Sequence, residues 1–298
     1  MSEGGDPRFV VVGDVMSDFV VVPRGPLRHD TDTPATIRPR PGGSGANTAA
    51  WLGVLGRRVD FVGAIGSDAV PQHEAAFRDA GVEPHLTVEP GIPTGVLIIT
   101  VDGNERSMLT DRGANALQRP ERVGDELLAG AAVLHLSGYS ITGAFGAAGA
   151  EELIRRARAL GVAVSVSAGS ASFIGDFGAE AFLEAIAGAD VLLANLQEGR
   201  LLSGRDEPEA AAAALLERFP VVAVTAGPRG SVVADRRTPP RAVPAHAVRL
   251  LDPSGAGDAY AAGFLSSWAE GRDVAAAAEL GTFTAARAVV VHGGRPPV

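Results

Sequence analysis

The chain has 298 residues, 46% of them apolar and 20% charged, which is ordinary globular usage and enough length to bury a full core. A formal net charge of −9 with scattered arginines excludes a basic nucleic-acid footprint, and no apolar run is long enough to span a bilayer. There is no cysteine and all 26 basic residues are arginine, which excludes disulfides, thiolate metal sites, a Walker-type lysine and Schiff-base chemistry.

Residues 1–7 are polar and show no signal-peptide pattern, so a cytoplasmic protein is the expectation. Residues 9–12 are an apolar run that predicts a buried first strand, which ends in Gly13-Asp14-Val15-Met16-Ser17-Asp18. In an open α/β sheet that is the carboxyl edge, where ligands bind. Asp14 reads as part of a surface turn, whereas Asp18 leads straight into apolar residues 19–22 and a second strand. Residues 23–41 contain five prolines and predict a loop or an irregular strand pair projecting from the body. Pro41-Gly42-Gly43-Ser44-Gly45-Ala46-Asn47 then opens a helix. Its glycines let backbone approach a ligand, and Asn47 offers a donor and an acceptor to a polyol. Read from Gly43 the spacing is G-x-G-x-x-T after a proline loop, which does not fit a dinucleotide-binding turn.

Residues 59–65 predict the next strand, and Gly66-Ser67-Asp68 leads into a helix reaching residue 80. Residues 94–101 and 105–110 predict a hairpin about Asp102-Gly103-Asn104. With the proline-rich segment, this hairpin suggests a small sheet acting as a lid, with segments at about 18–41 and 92–112, inserted in a single domain spanning 1–298. Arg106 and Arg112 lie on or just after the hairpin and offer themselves to a substrate there, although solvated surface arginines are the commoner case. From residue 131 the pattern is regular: short β-branched runs at 133–136, 162–166, 191–193 and 221–224 alternate with amphipathic helical segments. Such an alternation predicts a mostly parallel sheet covered by helices on both faces. The runs end in polar or glycine clusters at Ser137-Gly138-Tyr139, Ser167-Ala168-Gly169-Ser170, Asn195-Leu196-Gln197-Glu198 and Thr225-Ala226-Gly227-Pro228-Arg229-Gly230, so a ligand crevice is expected along these ends.

Asp252-Pro253-Ser254-Gly255-Ala256-Gly257-Asp258 is a further glycine-rich helix start, followed by Tyr260, Phe264 and Trp268 at helical spacing. Its backbone amides can converge on an anion. A carboxylate at such a place calls for a reason, and taking a proton from a hydroxyl that attacks a bound phosphate supplies one. Taken alone, the stretch reads equally well as a loop capping a core helix. The six histidines show no metal-ligand spacing, and His135 is the only one expected to be buried.

These motifs, in this order and at these strand ends, resemble the ribokinase-like (PfkB) carbohydrate and nucleoside kinase family over nearly the whole chain. The resemblance implies a three-layer α/β/α fold with a β-sheet lid, ATP and Mg²⁺ as cofactors, and a small-molecule sugar or nucleoside as acceptor. It puts the general base at Asp258 and an anion hole at Gly255, Ala256 and Gly257. Acceptor binding falls on Asp18, Gly43, Ser44, Gly45 and Asn47, and ATP binding on Asn195, Thr225, Gly227, Gly230 and Thr282. Glu198 would serve Mg²⁺ through water, and Asp252 and Ser254 match a site for a monovalent cation such as K⁺. A homodimer through the lids is a further implication. Three departures point away from ribose itself: Met16 where ribokinases have Asn, Ser44 where they have Lys, and no carboxylate near Ser137-Gly138; lack of that lysine also disfavours a sugar phosphate, unless Arg106 or Arg112 substitutes for it. A nucleoside kinase, with Tyr139 or Phe173 against the base, and a silent nucleotide or sugar sensor remain as alternatives.

Overall fold

The computed structural model describes residues 6–102 and 105–297, so the turn expected at Gly103-Asn104 and the Arg106 side chain lie outside the described residues. The strands are β1 (Arg8–Val12), β2 (Met16–Pro23), β3 (Ala35–Gly42), β4 (Arg58–Gly66), β5 (Val82–Glu89), β6 (Gly95–Asp102) and β7 (Glu105–Asp111). After these come β8 (Val133–Ser137), β9 (Ala163–Ser167), β10 (Val191–Asn195), β11 (Val221–Thr225), β12 (Ser231–Asp235) and β13 (Arg241–Val243).

Nine of them form one sheet in the order β13-β12-β11-β10-β9-β8-β1-β4-β5, and β3-β2-β6-β7 form a separate, smaller sheet. In the large sheet every neighbouring pair from β11 to β5 is parallel, and β12 and β13 add an antiparallel edge. Side-chain alternation along β1 shows why the run is uninterrupted: Val10 and Val12 join one buried cluster, and Phe9 and Val11 join another on the opposite face. The first cluster packs the helices Gly146–Ala159 and Ala179–Ala185, and the second packs Ser44–Val54, Ala256–Trp268 and Val274–Ala288. This is the helix–sheet–helix architecture expected from the alternation.

The strands that the pattern does not announce are edge or near-edge strands. β3 edges the small sheet and carries Pro39 and Pro41, and β5 edges the large sheet and carries Pro84. Proline cannot donate to a ladder, and edges are where a strand tolerates it. One further expectation is corrected: His73 is fully buried as well as His135, because it lies on the inner face of the Val70–Asp79 helix against β2.

Candidate active site

Two glycine-rich helix starts meet at the carboxyl edge of the large sheet. The first begins the helix Ser44–Val54, whose N-cap, Gly43, has no side chain with which to cap it. Asp14, at the end of β1, does this from outside. Its Oδ2 accepts from Ser44 N at 3.0 Å, its Oδ1 from Gly45 N at 3.3 Å, and its carbonyl from Ala46 N at 3.2 Å. The orphan amides of this helix are therefore consumed by one residue. Asp14 is buried and also accepts from Ser137 Oγ at 3.1 Å, which overturns its reading as a surface turn. Asn115 locks the loop by bonding both the amide and the carbonyl of Val15, and Gln118 donates to Gly13 O.

The second start begins the helix Ala256–Trp268 and has no side-chain cap. Gly255 precedes it in the left-handed region at φ 74°, and a Cβ there would stand 2.3 Å from Gly294 Cα, so only glycine fits. Asp258, on the first turn, is gripped from the other helix: Ser44 Oγ donates to its Oδ1 at 2.7 Å and Asn47 Nδ2 to its Oδ2 at 2.9 Å. Burial pushes the Asp258 carboxyl up to about 7, the Ser44 and Asn47 hydrogen bonds oppose that rise, and the Asp14 charge adds to it.

Asp18 lies on β2 opposite Arg40 and is buried. Burial lifts its carboxyl to about 7; Asp14, Asp258 and Asp252 push the same way, and Arg295 opposes them. Arg295 comes from the C-terminal tail, with its guanidinium carbon 4.4 Å from the Phe77 ring centroid. The tail is seated by Trp51 Nε1 donating to Gly294 O at 2.9 Å, and by Gly294 packing so closely on Asn47 that a Cβ would meet its amide nitrogen at 2.2 Å. Arg112 donates to Tyr139 O at 3.0 Å, and the Tyr139 and Phe173 rings meet edge to face at 5.8 Å.

On the other side, a cavity of about 110 Å³ is lined by Ser44, Gly257, Asp258, Asn195, Glu198 and Thr225 among others. A larger one, about 460 Å³, lies at Arg158, Gly161, Asp190 and Trp268, toward the amino ends of the strands and away from all the residues just described. Asn195 and Glu198 form a reciprocal capping box on the helix Leu196–Ser203. Glu198 is buried with its carboxyl raised to about 7, chiefly by burial, while the Asn195 amide opposes the rise and the Asp258 charge adds to it. A buried carboxylate raised in this way is relieved by a cation, and its oxygen donors suit Mg²⁺, so the residues present fit that ion.

The structure thus brings Asp258, Ser44, Glu198, Asn195, Thr225 and Gly257 to one cleft, with Asn47 bonded to Asp258 beside it and Gly43 and Gly45 flanking Ser44 outside the lining. Gly227 and Gly230 flank the short turn between β11 and β12. Thr282 is buried on the helix Val274–Ala288 and donates to Glu279 O, outside the cavity lining. Asp252 accepts from Ser254 N at 2.9 Å and Gly293 N at 3.0 Å, fastening the glycine-rich loop to the tail. Two contributors escape the sequence reading. Asp14 could have been found from the lack of any capping side chain at Gly43, which demands an outside acceptor. Arg295 carries no local signal, since its neighbours are 200 or more residues away in the chain.

The profile of the pfkB family carbohydrate kinases matches residues 6–298. An ATP-dependent ribose-1-phosphate kinase of Halopiger xanaduensis is 32% identical over 270 residues, covering 87% of this chain and 86% of that protein. A ribokinase of Haemophilus influenzae is 26% identical, covering 97% of this chain and 94% of its own length. Among solved structures, adenosine kinase from Sinorhizobium meliloti superposes with a TM-score of 0.86 at 27% identity, covering 99% of this chain and 97% of its own. No helix among the described residues is long and apolar enough to cross a membrane.

Proposed function

The chain belongs to the pfkB family of carbohydrate kinases, and from that premise we propose that it transfers the γ-phosphoryl group of ATP to a hydroxyl of a sugar or sugar derivative, with Asp258 as general base. The observation that carries this reading is the Asp258 carboxylate, held by Ser44 and Asn47 at an uncapped helix N-terminus beside the cleft that reaches Asn195, Glu198 and Thr225.

With its carboxyl near 7, Asp258 is poised to take a hydroxyl proton at neutral pH. The acceptor hydroxyl displaces Ser44 or Asn47 from one carboxylate oxygen, and the other contact keeps the carboxylate aimed. The amides of Gly255, Ala256 and Gly257 stabilise charge that develops on the transferring group, with no side-chain cap to compete for the helix N-terminus. Asp18, Asn47 and the glycines 43 and 45 orient the acceptor, which converts the transfer into an in-line step between fixed partners. On the nucleotide side, Asn195 and Thr225 in the cleft, with Gly227, Gly230 and Thr282 outside its lining, are the residues assigned to ATP in this proposal. Glu198 would hold Mg²⁺ through water, and the ion would supply charge neutralisation at the phosphates when bound. Asp252 and Ser254 are the proposed neighbours of a K⁺ ion. The smaller sheet is the proposed lid over the acceptor, excluding competing water, and its exposed Ile37, Met108 and Leu109 are the surface a second copy would cover.

A nucleoside acceptor is the second reading, favoured by the Tyr139–Phe173 ring pair close to Asp14, Asp258 and Glu198. ADP release should be measured with Mg·ATP against pentoses, hexoses, sugar acids, phosphosugars and nucleosides. Acceptor-dependent release is expected. Saturable ATP binding with no release from any acceptor would replace this reading with that of a nucleotide or sugar sensor.

A further inference from the structure

Six of the eight buried side-chain nitrogen and oxygen atoms found without a hydrogen-bond partner among the described residues gather on the acceptor side of Asp258. They are Asp18 Oδ1, Asn47 Oδ1, His73 Nδ1 and all three guanidinium nitrogens of Arg295. The positions are linked: Arg295 interacts electrostatically with both Asp18 and His73, and its neighbour Gly294 lies on the Asn47 side chain. A guanidinium shut away from solvent with none of its five N–H donors used is costly in a folded protein, by several kcal/mol in general. The ring of Phe77 offers it a cation–π contact but no acceptor. Asp18 faces it as a charge but accepts from none of its donors.

From this geometry, and resting on the kinase reading above, we propose that Arg295 is a specificity residue for an anionic acceptor: the sugar phosphorylated at Asp258 already carries an oxyacid group, a phosphate ester or a carboxylate, that engages the Arg295 guanidinium. The fork of donors matches either group in a bidentate fashion. The remaining orphan atoms suit the sugar that joins the two ends: Asn47 Oδ1 and Asp18 Oδ1 accept from its hydroxyls, and His73, whose Nε2 lies 3.3 Å from Ser17 Oγ, presents Nδ1. Arg295 also supplies from the C-terminal tail the positive charge that the Ser44 position lacks. Because Trp51 and Asn47 seat that tail against the glycine-rich loop, an anion at Arg295 is held in fixed relation to Asp258.

The test uses matched acceptors, each neutral sugar beside its phosphate ester and its sugar acid, with wild-type, Arg295→Gln and Arg295→Lys proteins. Wild type is expected to favour one anionic member by about 100-fold or more in kcat/KM, and Arg295→Gln to collapse that preference by about 30- to 100-fold, mostly through KM. Arg295→Lys should recover part of it, which a purely structural role for the bulk of Arg295 would not produce. The two anionic arms tell phosphate from carboxylate. A wild-type preference for a neutral sugar or a nucleoside, with Arg295→Gln affecting all acceptors alike, overturns the proposal. Calorimetric titration of the Asp258→Asn protein with the same compounds separates the two readings. Arg295-dependent binding of the anionic member there would stand even if no acceptor is phosphorylated, and its absence would count against Arg295 while leaving the kinase reading intact.

Discussion

The two glycine-rich helix starts are alike in composition and opposite in use. At Ser44–Val54 the first three amides are bonded by Asp14, so this N-terminus is plugged by the protein's own carboxylate and serves as scaffold. At Ala256–Trp268 no side chain caps the first turn, and the nearest carboxylate, Asp258, is pulled aside by Ser44 and Asn47. A helix N-terminus becomes an anion site only where the fold withholds its cap. Through Ser44 and Asn47 the plugged start also fixes the Asp258 carboxylate of the open one, which under the proposed function is a division of labour.

The largest way to sharpen the contrast is Asp258→Asn. It keeps both hydrogen-bonding positions filled but removes the proposed proton acceptor. Turnover should fall by about 10³- to 10⁴-fold, with ATP affinity changed less than about threefold. Steady-state kinetics and nucleotide titration report the two quantities.

Unplugging the first start should act on stability. Asp14→Ala leaves two amides, those of Ser44 and Gly45, and Ser137 Oγ without their acceptor, keeps the carbonyl that Ala46 N uses, and should cost about 2–4 kcal/mol in urea unfolding. Asp273→Ala, which removes an ordinary cap from Val274–Ala288, should cost only about 1 kcal/mol. Equal costs would mean that Asp14 is no more than a common cap.

The pH dependence tests the link between the two. As the proposed base, Asp258 would act deprotonated, so kcat/KM should rise with pH along a limb near the folded value of about 7. The Ser44 hydrogen bond lowers that value, so Ser44→Ala should move the limb upward, by about half a unit to one unit. A limb that stays in place would uncouple the starts.

The smallest expected effect is on melting temperature. Asp258, Asp18 and Glu198 all have folded values of about 7, above their unfolded values near 4. The sign is therefore that their contribution to stability is fully present below about pH 4 and is lost as pH rises through about 7. Asp258→Asn should accordingly melt a few degrees higher than wild type at pH 8 and gain nothing at pH 4. Thermal scans at the two values check it.

Legibility in the sequence followed burial. The central strands were readable because a strand covered on both faces is an unbroken apolar run, as at residues 9–12 and 221–224. β3 and β5 were hidden by the prolines that edges tolerate, and β12 and β13 by the turn-rich segment around them. In the site, Asp258, Ser44 and Asn47 could be singled out because each sits in a glycine-rich start, yet their mutual hydrogen bonds, across 211 or more residues, could not. Asp14 was misread because a local pattern cannot show a carboxylate reaching a helix 30 residues ahead. Arg295 was invisible for the same reason on a longer scale: its meaning lies in Asp18, Phe77 and Asn47, which only the folded tail brings near.

The most direct measurement is a crystal structure with ADP, Mg²⁺, a productive acceptor and aluminium fluoride, a mimic of the phosphoryl group in transfer. The account requires the fluoride group to rest on the amides of residues 255–258, with the acceptor hydroxyl against Asp258 and Asp14 still bonded to Ser44 and Gly45. A fluoride group seated on the Ser44 and Gly45 amides with Asp14 displaced, or an acceptor hydroxyl remote from Asp258, would contradict it.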